Sequence, residues 1–308
     1  MSSTLPKDDM NTRKKWRALM ETPALTLVPG VYDALSARIA EAEGFEAVSV
    51  GGYATVGTLL AEADGGQSNV RDYADSYARI CDAVEIPVYV DADTGFGGAH
   101  NVRQMVRLFE RAGVAGLFIS DQVFPNRCGY MPGKDVVSAE EMLTRLNAAL
   151  DARTDPDLYI VARTDAKQVL GADAALERCL MALDTGVDMV KPHGFDSAEE
   201  IKHSMSILPP PYMATLSHAA EAWTVGIDEL GSLGVTAITF PSATLFAAAG
   251  SVQRTLRGLK QDRSFDAVDH ELIPLDAYYD LVRLDDFVSN ERRWVDKAEV
   301  ITAKREQA

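Results

Sequence analysis

The chain has 308 residues, 47% of them apolar and 25% charged, with 30 basic against 46 acidic side chains and a formal net charge of −16. That length buries a sizeable core, and the composition is that of a globular protein, not a disordered one. So acidic a surface repels phosphate backbones and anionic lipid, which excludes nucleic acid and membranes as expected partners but not a small anionic ligand.

Short apolar, β-branched-rich runs alternate with amphipathic segments of helical length. In chain order the pattern predicts a strand at 25–28, a helix at 33–43, a strand at 47–50 and a helix at 70–83. It continues with strand 88–91, helix 99–112, strand 116–119, helix 138–152, strand 158–162 and helix 172–185. Strand 189–191, helix 197–206, strand 212–215, helix 225–234, strand 237–240 and helix 243–259 complete eight units. Helical crossovers force parallel pairing, and strands buried on both faces read as continuous apolar runs. Eight even units favour an α/β fold of the (β/α)8 TIM-barrel type over an open doubly wound sheet.

Ser138-Ala-Glu-Glu141 resembles a capping box, and Gly113 and Gly186 sit where helices must end. Residues 51–69 and 120–137 form long Gly-containing connections, expected to be functional loops, the second a lid. Residues 1–260 are expected to form the barrel. Residues 261–308 form a polar linker and a helical tail, whose apolar Leu275, Tyr278, Tyr279, Leu281, Val282, Leu284 and Phe287 imply packing against a body. No apolar run approaches the ~18 residues of a membrane span, and no leader-like segment is expected. Cys81, Cys128 and Cys179 give neither a disulfide framework nor zinc spacing, so the expected setting is a reducing cytoplasm.

Barrel enzymes carry their chemistry at the C-terminal ends of the strands. There the third strand ends in Asp91-Ala-Asp93-Thr-Gly-Phe-Gly-Gly. Two carboxylates followed by glycines suit a hard cation such as Mg2+, which takes few protein ligands and keeps waters; the bland alternative is a helix cap and a solvated Asp. After the fourth strand, Cys128 follows Arg127 on a Gly-rich loop, where a cation can lower a thiol pKa for proton exchange. The alternative is an inert thiol, the expected fate of Cys81 and Cys179. Arg163 can grip a carboxylate with two parallel N–H bonds, or form a structural ion pair with Asp165. His193 and His218, at the sixth and seventh strand tips, are acid/base groups or hydrogen-bond donors to substrate, or merely satisfied polar residues.

These segments, with Pro29-Gly-Val-Tyr-Asp-Ala34, Asp121-Gln122 and Ala162-Arg163-Thr164-Asp165-Ala166, are similar in order and spacing to the isocitrate lyase/phosphoenolpyruvate mutase superfamily, in its methylisocitrate and dimethylmalate lyase branch. The resemblance runs from Val28 to the C-terminal helix. It implies Mg2+ or Mn2+, a 2-hydroxy or 2-oxo carboxylate substrate, and cleavage beside an enolate-forming carbon. It also implies a homo-oligomer, tetramer or dimer, that exchanges its last helix between subunits. By resemblance, Asp91 is the direct metal ligand and Asp93 a water-mediated one, with Asp64, Ser120 and Asp121 in the layer behind them. Cys128 is the acid toward the enolate and Arg163 the carboxylate clamp. Gly51, Gly52, Tyr53, Gly129, Thr215 and His218 surround the substrate.

The departures from the family pattern are specific. Ser120 and His193 stand where Glu is expected, Asn126 where Lys is, Tyr130 where His is, and Thr215 where Asn is. Ser49 and Gly51 replace a Tyr and a Ser, with a tyrosine now at Tyr53. The metal cradle thereby loses a carboxylate and the lid a cation. A divergent metal-dependent carbon–carbon lyase is expected, with Tyr130, His193 or His218 as the base on the hydroxyl. An oxaloacetate-type hydrolase or decarboxylase, a carbon–phosphorus enzyme, and a barrel that has lost catalysis and serves as a binding scaffold are the alternatives.

Overall fold

The computed structural model describes residues 11–217, 225–266, 268–269 and 272–306. Eight strands alternate with helices: β1 (Thr26–Pro29), β2 (Val48–Val50), β3 (Val88–Asp91), β4 (Gly116–Ser120), β5 (Tyr159–Thr164), β6 (Met189–Pro192), β7 (Met213–Thr215) and β8 (Ala237–Phe240). Every ladder is parallel, running β2-β3-β4-β5-β6 in one sheet and β1-β8-β7 in the other. A bridge between Gly30 and Ser49 joins the two. The order β7-β8-β1-β2-β3-β4-β5-β6 is that of an α/β barrel. Its last two neighbours, β6 and β7, meet through side chains, Lys191 Nζ lying 3.7 Å from Met213 Sδ.

The predicted helices between strands are present within one or two residues at most ends, as α2 (Ala34–Ala42), α4 (Val70–Ala83), α5 (Ala99–Arg111), α6 (Ala139–Ala152), α8 (Ala172–Leu183), α9 (Ala198–Ile207), α10 (Ile227–Ser232) and α11 (Ala243–Asp262). The apolar faces of α2, α4, α5, α6, α8, α9 and α10 and the outer faces of the strands form one core, including Val48, Tyr77, Ile80, Phe109, Leu117, Leu146 and Ile160. A second core fills the barrel interior with Val28, Tyr89, Phe118, Val161, Met189 and Met213. Gly113 and Gly186 end their helices at φ +89°, where a side chain would be strained. Ser138 caps α6 by accepting from Glu141 N, but the reciprocal half of the capping box is missing, because Glu141 Oε1 pairs with Arg145 at 2.5 Å instead.

Three helices escape the periodicity. The first, α1 (Thr12–Glu21), stops the barrel's N-terminal mouth. Its Trp16 is fully buried, stacked on Tyr89 at 5.1 Å and edge-on to Tyr159. The second, α3 (Gly52–Leu60), lies inside the expected loop 51–69. Its Gly-rich start has no side-chain cap, and burial of Ala54, Thr55 and Val56 holds it in place of propensity. The third, α7 (Lys167–Leu170), is a single turn after β5.

The chain divides into two compact units, Met1–Ala247 and Ala248–Ala308. In the second, the tail breaks at Arg283, at φ +55°, into α12 (Leu275–Leu281) and α13 (Leu284–Glu306). Leu275, Tyr278, Tyr279, Val282 and Phe287, expected to pack, are exposed in the single chain, as are Trp294, Val295 and Ile301.

Candidate active site

The barrel's C-terminal face opens on a cavity of about 220 Å³ lined by every strand from β2 to β8. Strand register explains its floor. Ser120 on β4, Arg163 on β5 and Lys191 on β6 are successive register partners, so their side chains share the inward face. One layer beneath lie Phe118, Val161 and Met189, the apolar interior. Among the described residues the upper layer is polar because the strands end there and the chain can turn to solvent.

Asp91 and Asp93 stand on one wall. Asp91 is buried and accepts Gly52 N at 3.0 Å and Asp93 N at 2.8 Å. Asp93 adopts a left-handed φ of +48°, tolerated by Asp and fixed here because its carbonyl accepts Ser120 N at 2.7 Å. Its Oδ1 accepts Asn126 Nδ2 at 3.0 Å. Asp64 completes the group; its Oδ1 is buried with no hydrogen-bond partner. Gly52 is closely hemmed in, since a Cβ there would stand 3.0 Å from both Asp93 Oδ1 and Tyr73 Oη and 3.2 Å from Asp64 Oδ2, and those side chains would have to give by a few tenths of an ångström.

Burial, and then Asp91, push Asp64 up to about 6. Burial raises Asp91 as well, against the pull of Arg163, and burial with Asp91 and Asp64 raises Asp93 well above the carboxylate range. The cluster is short of positive charge and has an orphaned oxygen, which fits a hard divalent cation. Among the described residues no three His, Cys, Asp or Glu side chains make a ready cage. The protein offers part of a coordination shell, as Mg2+ sites do when substrate and water supply the rest.

The loop after β4 stands over the cavity, pinned at its base by the Gln122–Val136 bridge and a Val123 N to Asp135 O bond of 3.0 Å. The Gln122 amide brackets the backbone of Arg127, accepting from its N and donating to its O. Cys128 N donates to Asp64 O at 3.2 Å, tying the loop to the carboxylates. The thiol lines the cavity, but the expected pKa lowering is reversed. Burial pushes it up, Asp64 and Asp91 add to that, and Arg127 turns away to donate to Pro132 O. A thiol held protonated is an acid, not a ready thiolate.

Arg163 is engaged with Asp165, Nε and Nη2 each donating at 2.9 Å. The structural ion pair is thus present, and only the remaining donors face a ligand. Asp165 is buried and also accepts Ser120 Oγ at 2.9 Å. Burial favours its neutral form, yet Arg163, His193 and Lys134 outweigh that and hold its carboxyl far below the usual range. Asn126 leaves the loop without a cation at that position, but Lys134 brings one into the site from further along it. Its ammonium reaches Asp165 Oδ1 at 3.4 Å and donates to Gly129 O. Gly129 has room for no side chain, because a Cβ would collide with His193 Nε2 and Arg163 Nη2.

His193 is pushed down to about 3 by burial and by Arg163, so it is neutral, and its Nε2 has no hydrogen-bond partner. Tyr130 packs edge-on against it with ring centroids 5.3 Å apart, its phenol raised to about 12 by burial and Asp196. Gly51, Tyr53 and Thr215 line the cavity; Tyr53 packs on Phe246 and Thr215 Oγ1 meets Thr239 Oγ1 at 3.0 Å. Asp121 does not line it. Its carboxylate holds Thr164 Oγ1, Asp165 N and Arg178, bracing the end of β5. His218 lies outside the described residues. Asn126, Lys134, Asp165 and Lys191 were not among the expected site residues. For Lys191 the signal was available: a charged residue in phase with Met189 on an inward strand face.

A model of the phosphoenolpyruvate phosphomutase family matches residues 16–260. The 2,3-dimethylmalate lyase of Eubacterium barkeri is 34% identical over 90% of this chain and 96% of its own length. The 2-methylisocitrate lyase of Aeropyrum pernix is 34% identical over 94% of this chain and 92% of its own. Among solved structures, oxaloacetate acetylhydrolase with the inhibitor 3,3-difluorooxalacetate superposes with a TM-score of 0.86 at 32% identity, covering 92% of this chain and 96% of that one. The chain therefore belongs to the phosphoenolpyruvate mutase/isocitrate lyase superfamily and is an enzyme of its lyase type.

Proposed function

We propose that the protein is a divalent-metal-dependent carbon–carbon lyase acting on a small 2-hydroxy or 2-oxo di- or tricarboxylate, divergent from true methylisocitrate lyase. The observation that carries this reading is the convergence of Asp91, Asp93, Cys128 and Arg163 on one cavity beneath a loop tied to Asp64. Asp91 and Asp93, with Asp64 behind them, would hold Mg2+ or Mn2+, which when bound supplies Lewis-acid stabilisation of charge developing on the substrate oxygens.

The chain's own groups account for the remaining steps. Amides at the start of α3, around Gly51 and Tyr53, receive a carboxylate, the Gly52 amide between them being held by Asp91. The donors of Arg163 left free by Asp165 orient it. His193, its Nε2 unpartnered, and Tyr130, packed edge-on against it, are the groups placed to take the proton of the substrate hydroxyl as the carbon–carbon bond breaks. Cys128, protonated at neutral pH, delivers its proton to the enolate carbon. The loop over 123–136 excludes water from the enolate.

The test is a panel of 2-hydroxy and 2-oxo di- and tricarboxylates, with and without Mg2+, read for pyruvate, glyoxylate, oxalate and carbon dioxide. Metal-dependent release of a 2-oxo acid is expected; no turnover across the panel overturns the reading. The likeness to oxaloacetate acetylhydrolase favours a second reading, hydrolysis of oxaloacetate, which the same panel reports as oxalate. We place the enzyme in the cytoplasm as a homo-oligomer, dimer or tetramer, with residues 261–308 an extension of the barrel. Free cysteines and exposed apolar side chains on α12 and α13 support this, and light scattering tests the assembly.

A further inference from the structure

Lys191 is a buried, charged residue of the cavity that the proposed reaction does not use. It sits on β6 in register with Arg163, only 6% exposed, and lines the cavity floor. Its ammonium has apolar company: Met213 Sδ at 3.7 Å and the Phe118 ring centroid at 5.4 Å. Among the described residues it forms no ion pair. The other cations of the site have protein partners: Arg163 grips Asp165 and keeps only its remaining donors for a ligand, Lys134 serves Asp165 and the Gly129 carbonyl, and Arg127 donates to Pro132 O.

A desolvated ammonium facing a thioether and a ring is costly in the fold, and a hydrophobic residue of similar size would pack there without that cost. The same ammonium, lying in a low-dielectric recess, attracts an anion far more strongly than one at the surface. The cavity is thus polarised. Asp64, Asp91 and Asp93 form an acidic wall, and Lys191, in no ion pair among the described residues, lies on the floor. A ligand matched to both ends carries one set of oxygens toward the acidic wall and its bound cation, and a second anionic group toward Lys191.

We propose that Lys191 is a substrate-binding, specificity-determining residue whose ammonium takes a carboxylate of the ligand, so that the site selects dianionic over monoanionic 2-hydroxy acids. This deepens the lyase reading and rests on it for the ligand class. The cavity of about 220 Å³ suits an acid of a few carbons whose second carboxylate reaches the floor.

Malate and lactate share the 2-hydroxy acid end and differ in the second carboxylate, so they isolate this contact. Calorimetric titration of both into the Mg2+-loaded wild type, Lys191→Met, Lys191→Gln and Lys191→Arg is the experiment. The expected result is malate binding at least tenfold tighter than lactate in the wild type. Malate affinity falls tenfold or more in Lys191→Met and Lys191→Gln, lactate affinity changes less than twofold, and Lys191→Arg keeps part of the preference. A wild type that binds malate no more tightly than lactate overturns the proposal, as does an equal loss for both acids in the folded variants. The lyase reading fails separately: Lys191-dependent malate binding without turnover of any carboxylate leaves this contact standing. Turnover with unchanged malate binding in Lys191→Met sinks the contact and leaves the lyase.

Discussion

The buried ammonium of Lys191 makes a stability prediction that is independent of catalysis. Burial, then Arg163, push it from an ordinary 10.5 down to about 7, with Asp91 and Asp165 pulling the other way. Below pH 7 both folded and unfolded chains carry the proton, so the full cost of the desolvated charge is present. Between pH 7 and 10.5 the unfolded chain binds the proton and the folded one does not, so this contribution to stability improves as pH rises. At ~1.4 kcal/mol per pH unit, the cost at and below pH 7 is about 5 kcal/mol, an order-of-magnitude figure, and about 3 kcal/mol of it is relieved by pH 9.5. Lys191→Met removes the charge and keeps the volume. Urea denaturation in the presence of chelator should show the variant more stable than the wild type at pH 6.5, with the gap closing by several kcal/mol at pH 9.5. A gap that stays constant with pH, or a variant less stable at pH 6.5, would refute the burial argument.

Cys128→Ser keeps the geometry but loses the acid, so kcat on whichever carboxylate is cleaved should fall about 10²–10⁴-fold, with ligand affinity from calorimetry little changed. Gly52→Ala pushes a methyl against Asp93, Tyr73 and Asp64; Mg2+ affinity by calorimetry should drop roughly 10–100-fold while the melting temperature moves little. Asp165→Asn strips a shared buried carboxylate from Arg163 and Lys134, and denaturant unfolding should show a loss of about 3–5 kcal/mol. An Asp165→Asn variant as stable as the wild type would mean the two cations find other partners.

The sequence by itself determined the alternation of elements, because period-2 and period-3.6 burial leave their mark residue by residue, as in β3 and α4, whose ends match the expectation. It also placed Asp91, Asp93, Arg163 and His193 at or just beyond strand ends and Cys128 on the loop after β4, and in a barrel all strand ends meet on one face. Burial alone settled what local pattern cannot carry. Trp16 closes the barrel floor although α1 lies outside the β–α rhythm, and α3 forms from a glycine-rich stretch because tertiary contacts outweigh its poor propensity. Electrostatics were decided the same way. Arg127 precedes Cys128 in sequence, yet the charges that set the thiol are Asp64, Arg163 and Asp91, distant along the chain and near in space. Lys134 meets Asp165 from the loop, and Lys191 is buried in no ion pair among the described residues, because neighbours across the barrel, not along it, fix the dielectric and the partners that each group meets.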